Sequence, residues 1–352
     1  MKELHVTAAE QGQRLNKYLG RVLREAPQSF LYKMLRKKNI TLNGARADGS
    51  ELLRAGDRVC FFLSDDTFEK FAGAQPKNEA PRFAETALAP YHIRYEDPEV
   101  LIAYKPAGLL SQKDKSGREA INERILQYLA DSGQLTAESL RRFKPSVCNR
   151  LDRNTSGLIL FAKTLAAQQQ LGRCLRERTL KKYYLCIVSG RMDKPFWHEG
   201  FLRKDPERNL VTVETSEAGK ENAAEAAAER IVTSGAPLAA HEELTLLRVE
   251  LHTGKSHQIR AVLEALSHPI LGDPKYRGGA EETRRRMRRL EERYGLRSQL
   301  LVAYELGFPE MTGSLRALSG KRFFSPLPTE FRRLLTEEFP EAAPGLLQGG
   351  TQ

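Results

Sequence analysis

The sequence predicts a protein of mixed helices and strands, with a small basic unit at its N-terminus and a larger unit behind it. Three observations lead to this fold class. The first 64 residues hold five lysines and seven arginines against six acidic residues, so +6 of the net charge of +11 lies in under a fifth of the chain. Residues 66–90 lose regular periodicity and are broken by Gly and Pro, as linkers are. From residue 91 onward, strand-like and helix-like apolar runs alternate.

The N-terminal unit, residues 1–65, has the pattern of two helices followed by a strand pair. Ser29 is in position to cap the second helix. Asn43-Gly44 is a strong signal for a tight turn between the strands. The predicted elements are helices over residues 15–23 and 29–38 and strands over residues 40–42 and 59–62.

The second unit alternates the two kinds of element. Its predicted strands are residues 100–103, 158–161, 183–188 and 244–251, and its predicted helices are residues 165–178, 258–266 and 281–293. The last of these helices is rich in Arg and Glu, which slightly favours a solvated helix with internal ion pairs over a nucleic-acid contact. Residues 221–230 are rich in Ala and Glu, so their propensity is helical. Residues 342–352 are expected to be a frayed tail.

Composition narrows the compartment and the class of partner. The N-terminal residues contain no apolar run of the signal-peptide type, and no stretch reaches the apolar length of a membrane span. None of the four cysteines forms a Cys-x-x-Cys pair, so we expect a reducing cytoplasm and no zinc knuckle. The basic balance favours an anionic partner, which composition alone leaves open as nucleic acid, a phosphorylated ligand or a membrane surface.

The N-terminal unit resembles the S-four-type RNA-binding module, named after a small-subunit ribosomal protein. The resemblance covers nearly all of residues 12–64 and implies that a helix pair and the following hairpin hold structured RNA through its backbone. Basic side chains neutralise phosphates and give affinity with little choice of sequence. The side chains implied to bind RNA are Arg14, Lys17, Lys33, Arg36, Lys37, Lys38, Asn43 and Arg46.

The densest chemistry of the second unit lies in residues 149–157, Asn-Arg-Leu-Asp-Arg-Asn-Thr-Ser-Gly. Asp152 is flanked by Arg150 and Arg153 just before an apolar strand, where a nearby cation would hold the carboxylate ionised. Judged from spacing alone, the favoured interpretation is structural: Asp152 caps a turn with Thr155 and Ser156.

A family resemblance reverses that order. Residues 149–157 resemble the His-Arg-Leu-Asp-x-x-Thr-Ser-Gly motif of the RluA family of pseudouridine synthases. Four further motifs follow the order of that family, at residues 105–109, 182–190, 251–260 and 268–276. Together with the N-terminal unit, they resemble the RluC branch, whose members modify large-subunit ribosomal RNA.

The resemblance implies roles for four residues. Asp152 matches the catalytic aspartate, and Arg260 matches the arginine paired with it. Tyr184 matches the tyrosine that packs on the flipped base, and Arg150 matches a residue implicated in base flipping. Its neighbour Tyr183 is expected to pack in the core, since adjacent strand residues face opposite ways.

The resemblance also implies the architecture, a mixed and mostly antiparallel sheet with flanking helices and an RNA cleft across it. This pseudouridine synthase fold would occupy residues 91–340, after the linker at 66–90 and before a tail at 341–352. With the small N-terminal α/β unit, the whole is an α+β protein. On that template residues 221–230 form a sheet-edge strand, against their helical propensity.

The implied reaction breaks the glycosidic bond of a uridine, turns the uracil and rejoins it through its 5-carbon. Nothing is oxidised and no group is added, so we expect neither a cofactor nor a metal. His252, His257 and His268 have no further ligands at metal spacing. The expected partner is structured RNA, most of all ribosomal RNA, bound by a monomer in the cytoplasm.

The sequence departs from the family pattern at three positions. Asn149 and Val302 stand where His is usual or common, and Lys255 replaces an Arg and so loses a bidentate fork. Two other hypotheses remain. The Asn149 change and the basic N-terminal unit suit a non-catalytic RNA-binding or ribosome-assembly factor. A hydrolase with a carboxylate nucleophile lacks a paired acid at a recognisable spacing.

Overall fold

The computed structural model describes residues 1–73, 81–115, 117–205, 210–214 and 228–348. Its N-terminal part is a three-stranded antiparallel sheet in the order β1-β3-β2 with helices packed against it. The elements of this part are β1 (Lys2–His5), α1 (Leu15–Val22), α2 (Gln28–Arg36), β2 (Ile40–Leu42), β3 (Arg58–Phe61) and α3 (Asp65–Ala72), with a short 3-10 helix at Ala8–Glu10. The predicted hairpin is confirmed, because β2 pairs with β3 and both Asn43 and Gly44 adopt positive φ.

Two expectations for this part are wrong. The second helix begins at Gln28 with Pro27 as its N-cap, so Ser29 lies inside the first turn rather than capping it. Residues 66–72 of the expected linker belong to α3. The apolar residues Phe68 and Phe71 lie three positions apart on that helix and pack on the N-terminal core. The middle of the predicted linker, residues 74–80, lies outside the described residues.

The second part is built on one large sheet. Its strands are β4 (Ile93–Glu96), β5 (Val100–Lys105), β6 (Ser146–Val147), β7 (Ser156–Ala162), β8 (Lys181–Ser189), β9 (Phe196–Asp205), β10 (Leu210–Glu214), β11 (Glu229–Ala240), β12 (Leu244–Leu251), β13 (Leu301–Gly307) and β14 (Arg322–Phe324). Over the described ranges they form an eleven-stranded sheet in the order β10-β9-β11-β12-β8-β13-β7-β5-β4, with β6 beside β7 and β14 beside β13. Only the β7–β13 pairing among these is parallel, so the expected mostly antiparallel sheet is confirmed.

Helices cover both faces of this sheet. They are α4 (Ile121–Asp131), α5 (Ala137–Arg142), α6 (Leu165–Arg176), α7 (Gln258–Ala265), α8 (Glu281–Tyr294), α9 (Thr329–Glu338) and α10 (Ala343–Gln348), with short 3-10 helices at Pro90–His92 and Gly313–Leu318. On β7, Ile159 and Phe161 pack with α4 and α7, whereas Leu158 and Leu160 pack with α6. Burial on both faces explains why this strand is an unbroken apolar run in the sequence.

The Arg-rich helix α8 lies on the face of the sheet opposite to Tyr184. Its buried residues Met287 and Leu290 pack with Leu185 and Ile187 of β8, whereas Tyr184 belongs to the core on the other face. Five of the six arginines of α8 pair with nearby carboxylates: Arg284, Arg285 and Arg288 with Glu281, Arg289 with Glu243, and Arg293 with Glu338. The sixth, Arg286, donates to the Ser189 hydroxyl. These contacts support the structural interpretation of this helix.

The end of the described chain is more ordered than expected. Residues 343–348 form α10 rather than a frayed tail, because Ala343 is buried and the Tyr304 hydroxyl donates to the carbonyl oxygen of Leu346 at 3.0 Å. Residues 349–352 lie outside the described part. Residues 215–227 also lie outside the described part. They contain most of the Ala/Glu-rich segment 221–230, for which helical propensity and the family resemblance disagree; β11 begins at Glu229. In the described ranges, no helix has the length and apolar character that a membrane crossing requires.

The N-terminal part rests on the second part through α5 and α6. The side-chain amide of Gln169 in α6 donates to the carbonyl oxygen of Gly12 at 2.7 Å, and α1 packs near α5. This contact leaves the exposed end of α2 and the Asn43-Gly44 turn uncovered by the second part.

Gly157 at the start of β7 has no room for a side chain. Its φ is +125°, and a Cβ there would lie 2.3 Å from the carbonyl oxygen of Ala303 on β13. We expect Gly157→Ala to lower the free energy of unfolding by more than about 2 kcal/mol, because a rigid backbone must shift. Urea unfolding followed by circular dichroism measures this.

Gly172 in α6 provides the matched control, because no heavy atom beyond its chain neighbours and its own helix backbone lies within 4 Å of a Cβ built there. Gly172→Ala should leave stability unchanged or raise it by up to about 1 kcal/mol through helix propensity. Equal urea midpoints for the two variants would contradict the close approach of β7 and β13.

Candidate active site

Asp152 lies on the loop before β7, which hydrogen bonds on both sides of the aspartate hold in place. The Ser111 hydroxyl donates to the carbonyl oxygen of Leu151 at 2.8 Å and accepts from the Leu151 N–H at 2.9 Å. Downstream, the Thr155 N–H donates to the backbone carbonyl of Asp152 at 3.0 Å, and the Thr155 hydroxyl accepts from Gln299. The turn at Asp152 is therefore closed by backbone groups, and its carboxylate is left for another partner.

Lys105 is a buried cation that ties two loops together. Its ammonium donates to the carbonyl oxygens of Pro106 at 3.0 Å, Leu109 at 2.7 Å and Arg153 at 3.0 Å. All three N–H groups are thereby used. Burial lowers the pKa of Lys105 to about 7, while the negative charge of Asp152 opposes that shift. Lys105 thus anchors the segment that carries Asp152 onto the end of β5.

Arg260 on α7 binds Asp152. Its Nη1 donates to Oδ2 of Asp152 at 3.1 Å, while Nε and Nη2 donate to the two carboxylate oxygens of Asp273 at 2.6 and 2.9 Å. Burial by itself lowers the pKa of this guanidinium, but Asp273 and then Asp152 outweigh it, so the net pKa is raised. The arginine stays charged, and one of its nitrogens is always directed at Asp152.

The two oxygens of the Asp152 carboxylate differ in their surroundings. Oδ2 faces Arg260, and Nε2 of His257 lies 4.0 Å from the same oxygen. No hydrogen bond from the described residues reaches Oδ1, and the side chain keeps 24% of its surface exposed. Asp152 therefore has one oxygen held by the protein and one available to a substrate.

Tyr184 on β8 lines the same cavity as Asp152. It is 6% exposed, and burial together with the charge of Asp152 raises the pKa of its hydroxyl, so the ring is a neutral aromatic wall. Tyr183 faces the other side of the sheet, where the guanidinium of Arg248 lies 3.6 Å from its ring centre; it is half-buried there rather than packed in the core as expected. The alternation of β8 thus places one tyrosine in the cavity and one away from it.

The neighbours of Asp152 in the sequence have different surroundings. Arg150 is exposed and lines the cavity, and no ion pair of the described residues involves it. Nε of Arg153 donates to the carbonyl oxygen of Gly108 at 3.2 Å. The Asn149 amide donates to the carbonyl of Leu158 and accepts from the N–H of Leu160. Asn149 therefore pins the loop to β7, which gives this departure from the family pattern a structural role.

The three histidines considered as metal ligands have three separate sets of partners. His252 meets the Ser234 hydroxyl at 2.9 Å, His257 meets the Tyr276 hydroxyl at 3.0 Å, and His268 meets the carbonyl oxygen of Ser189 at 3.1 Å. The neighbouring amide of Gln258 is fully engaged: it donates to Val232 and Thr233 and accepts from Thr253 and Lys255. Gln258 is structural.

Asp152 lies in a cavity of about 830 Å³ whose lining is cationic. The basic side chains around it are Lys113, Arg150, Arg153, Arg176, Lys182, Lys204, Lys255 and Arg260, against the carboxylates of Asp114 and Asp152. A site of this shape and charge suits a polyanion that passes over the carboxylate.

The RNA-binding residues expected in the N-terminal part all lie at its surface. The exposed side chains are Arg14, Lys17, Lys33, Arg36, Lys37, Lys38, Asn43 and Arg46. Across the described ranges none of the seven cations has an ion-pair partner, in contrast to five of the six arginines of α8. The amide of Asn43 bonds to Asp57 and to the N–H of Arg58, so it closes the hairpin.

Sequence reasoning missed the residues that support Asp152. Asp273 lies in the motif at residues 268–276, and the resemblance assigns it no role, although its carboxylate is fully buried and bidentate to Arg260. The resemblance also assigns none to Lys105 or Ser111. The signal for Asp273 was a charged residue inside the apolar-flanked segment Ile-Leu-Gly-Asp-Pro, where an acid is kept only if a cation compensates it.

Comparison with known proteins gives similarities to RNA pseudouridine synthases. Residues 99–265 match the sequence model of RNA pseudouridylate synthase. The chain is 28% identical to ribosomal large subunit pseudouridine synthase C of Escherichia coli K12, over 78% of this chain and 80% of that protein. It is 27% identical to ribosomal large subunit pseudouridine synthase D of Nitrosomonas europaea, over 78% of this chain and 72% of that protein.

Among solved structures, human RNA pseudouridylate synthase domain containing 4 aligns with a TM-score of 0.48 and 21% identity, over 70% of this chain and 92% of that one. The range matched by the family, residues 99–265, contains β5, β7, β8 and α7 and with them Asp152, Tyr184 and Arg260. This match and the related sequences show an isomerase that acts on uridine in RNA.

Proposed function

We propose that this enzyme, a member of the RluC branch of the RluA family, isomerises specific uridines of large-subunit ribosomal RNA, with Asp152 as its catalytic carboxylate. The observation that carries the assignment of Asp152 is its contact with Arg260 beside a cationic cavity. The choice of large-subunit RNA rests on the names of the related proteins from Escherichia coli and Nitrosomonas europaea. For such a target we expect a cytoplasmic enzyme.

The geometry suits a reaction on an extruded uridine. A stacked nucleotide must leave its helix to reach the carboxylate, which costs a few kcal/mol. Tyr184 offers an aromatic surface to the uracil, and Arg150 offers an exposed cation beside it. Once the uridine is bound, Asp152 can attack the sugar, attack the ring or remove a sugar proton. Each of these steps uses a carboxylate with one unshielded oxygen, and Arg260 contacts Oδ2 while leaving Oδ1 open.

Replacement of the carboxylate tests this proposal. Asp152→Asn keeps the shape of the side chain but removes its charge, so we expect the rate of pseudouridine formation to fall at least about a thousandfold. Release of tritium from C5-labelled uridine in ribosomal RNA measures the rate. RNA affinity should stay within about threefold, because the phosphate contacts are made by other residues.

Asp193→Asn is the matched control, since that carboxylate is 59% exposed and pairs only with Arg191 among the described residues. It should retain full activity. A fully active Asp152→Asn enzyme would refute the catalytic assignment, and an unchanged pseudouridine map of large-subunit RNA after gene deletion would refute the target.

Lys182 is the cation of the cavity that we expect to hold an RNA phosphate. Burial, and then the charge of Arg178, lowers the pKa of its ammonium, and no carboxylate of the described residues pairs with it. Its neighbour Lys181 is bound to Glu250 at 2.8 Å. An unpaired, partly buried cation beside a second cation is stabilised when an anion arrives.

The two lysines make a matched pair for mutation. Lys182→Gln should weaken RNA binding severalfold and reduce the slope of log K against log salt by about 0.7, the value for one released counterion on a single strand. Lys181→Gln should change neither quantity. Fluorescence anisotropy of labelled RNA at several salt concentrations measures both, and equal effects of the two variants would contradict a phosphate contact at Lys182.

We further propose that residues 1–65 act as an S-four-type module that holds the RNA backbone. The support is the row of exposed and unpaired cations on α2 and the hairpin. Changing Lys33 and Lys37 together to Gln should lower RNA affinity about tenfold or more and flatten its salt dependence. The kcat for bound RNA should be unchanged, because Asp152 lies in the other part of the chain.

Arg285→Gln is the control for this prediction, measured in the same anisotropy titrations. Its side chain is 76% exposed but paired with Glu281. If the control and the double variant lose the same affinity, binding reflects net charge alone and not this surface.

A further inference from the structure

His257 lies between Asp152 and a buried tyrosine in an unusual backbone conformation. Its φ is +58°, a left-handed value that costs a non-glycine residue energy. Its Nδ1 lies 3.0 Å from the Tyr276 hydroxyl, and its Nε2 lies 4.0 Å from Oδ2 of Asp152. The imidazole is 13% exposed, so its orientation is set by these contacts rather than by solvent.

The hydrogen bonds around Tyr276 decide which nitrogen of His257 carries the proton. The backbone N–H of Val211 donates to the Tyr276 oxygen at 3.0 Å. The phenol has one proton to give, and within the described residues the polar atom in reach of it is Nδ1 of His257. Nδ1 therefore accepts, and the neutral ring carries its proton on Nε2, the nitrogen that faces Asp152.

We propose that His257 is a positioning residue for Asp152: as a neutral imidazole oriented by Tyr276, it directs its Nε2–H at Oδ2 and, with Arg260, keeps Oδ1 as the reacting oxygen. This inference rests on the proposed role of Asp152. The present separation of 4.0 Å is longer than a hydrogen bond, and an approach of about 1 Å in the substrate complex closes it, as catalytic contacts commonly tighten on binding.

The surroundings of the ring keep it neutral. Burial is the main cause that lowers the pKa of His257 below its ordinary value. Protonation of Nδ1 would also break the hydrogen bond that it accepts from Tyr276. The charged groups that face the ring are Asp152 from the loop before β7, Arg260 from α7, and Asp273 and Lys275 from the segment after α7; the carboxylates favour protonation and the cations oppose it.

Three substitutions at position 257 separate a hydrogen-bond donor from a space-filling side chain. The amide nitrogen of Gln can occupy the place of Nε2, whereas that of Asn stands nearer to Nδ1. We expect His257→Gln to retain kcat within about threefold, and His257→Asn and His257→Ala to lose about tenfold, the effect of one hydrogen bond to a charged group. KM for the RNA should not change in any of them.

The pH dependence of kcat provides a further test, because substitution of a purely structural residue would not shift the pH at which kcat falls. In the wild type, protonation of His257 turns the ring away from Tyr276, so kcat falls on the acid side, below the ordinary pKa of histidine. Tyr276→Phe removes the donor to Nδ1, makes protonation easier and shifts this acid limb to higher pH. His257→Gln has no group to titrate there and loses the limb.

Nitrogen-15 NMR of histidine-labelled enzyme tests the tautomer directly, with His257→Gln to assign its signals among the seven histidines. An Nε2–H pattern supports the proposal, and an Nδ1–H pattern overturns it. So does a His257→Ala enzyme with normal kcat, or a Tyr276→Phe acid limb that does not move. If Asp152→Asn is inactive, any of these results contradicts only the role of His257. If Asp152→Asn is active, the catalytic role of Asp152, on which this inference rests, is wrong.

Discussion

The bidentate pair between Arg260 and Asp273 is the interaction on which the site depends. An arginine on a buried helix face is costly unless its charge is matched, and the fully buried Asp273 matches it with two short hydrogen bonds. The pair uses Nε and Nη2 and so leaves Nη1 for Asp152. Because the guanidinium is planar, fixing two of its nitrogens also fixes the direction of the third. Arg260 therefore positions Asp152, and Asp273 in turn fixes the orientation of Arg260.

The sheet supplies the frame for this arrangement. β7 is buried on both faces and lies between β5 and β13, so the loop that precedes it starts from a rigid point. Lys105 at the end of β5 then binds a carbonyl of that loop, and Asn149 binds the edge of β7. Loops ordinarily carry function on such scaffolds, but here the loop is tied by side chains that are themselves buried or half-buried. The result is a preorganised carboxylate rather than a mobile one.

The helices and strands that periodicity predicted are all present, although they are fewer than half of those in the described ranges. They were visible because apolar residues repeat every 3.6 positions in a helix, or follow one another in a strand that is buried on both faces. It failed where the deciding feature was not periodic. Pro27 and not Ser29 precedes α2, and α3 forms because Phe68 and Phe71 find an apolar surface on the N-terminal core. The pairing of Asp152 with Arg260 came from the family resemblance, since 108 residues separate them and no local pattern joins them. Asp273 and Lys105 stayed hidden because their importance lies in burial, which the sequence does not display.

The seating of the N-terminal part on α5 and α6 has a consequence for recognition. On the proposed RNA-binding role of residues 1–65, two surfaces of one chain bind a single substrate, so engagement of one raises the effective concentration of the other. That gain is realised only by an RNA whose fold presents a backbone segment and the reactive uridine at the separation that this seating fixes. Under that proposal, the Gln169–Gly12 contact helps to fix the distance between the two surfaces, so that targets are selected by distance as well as by charge.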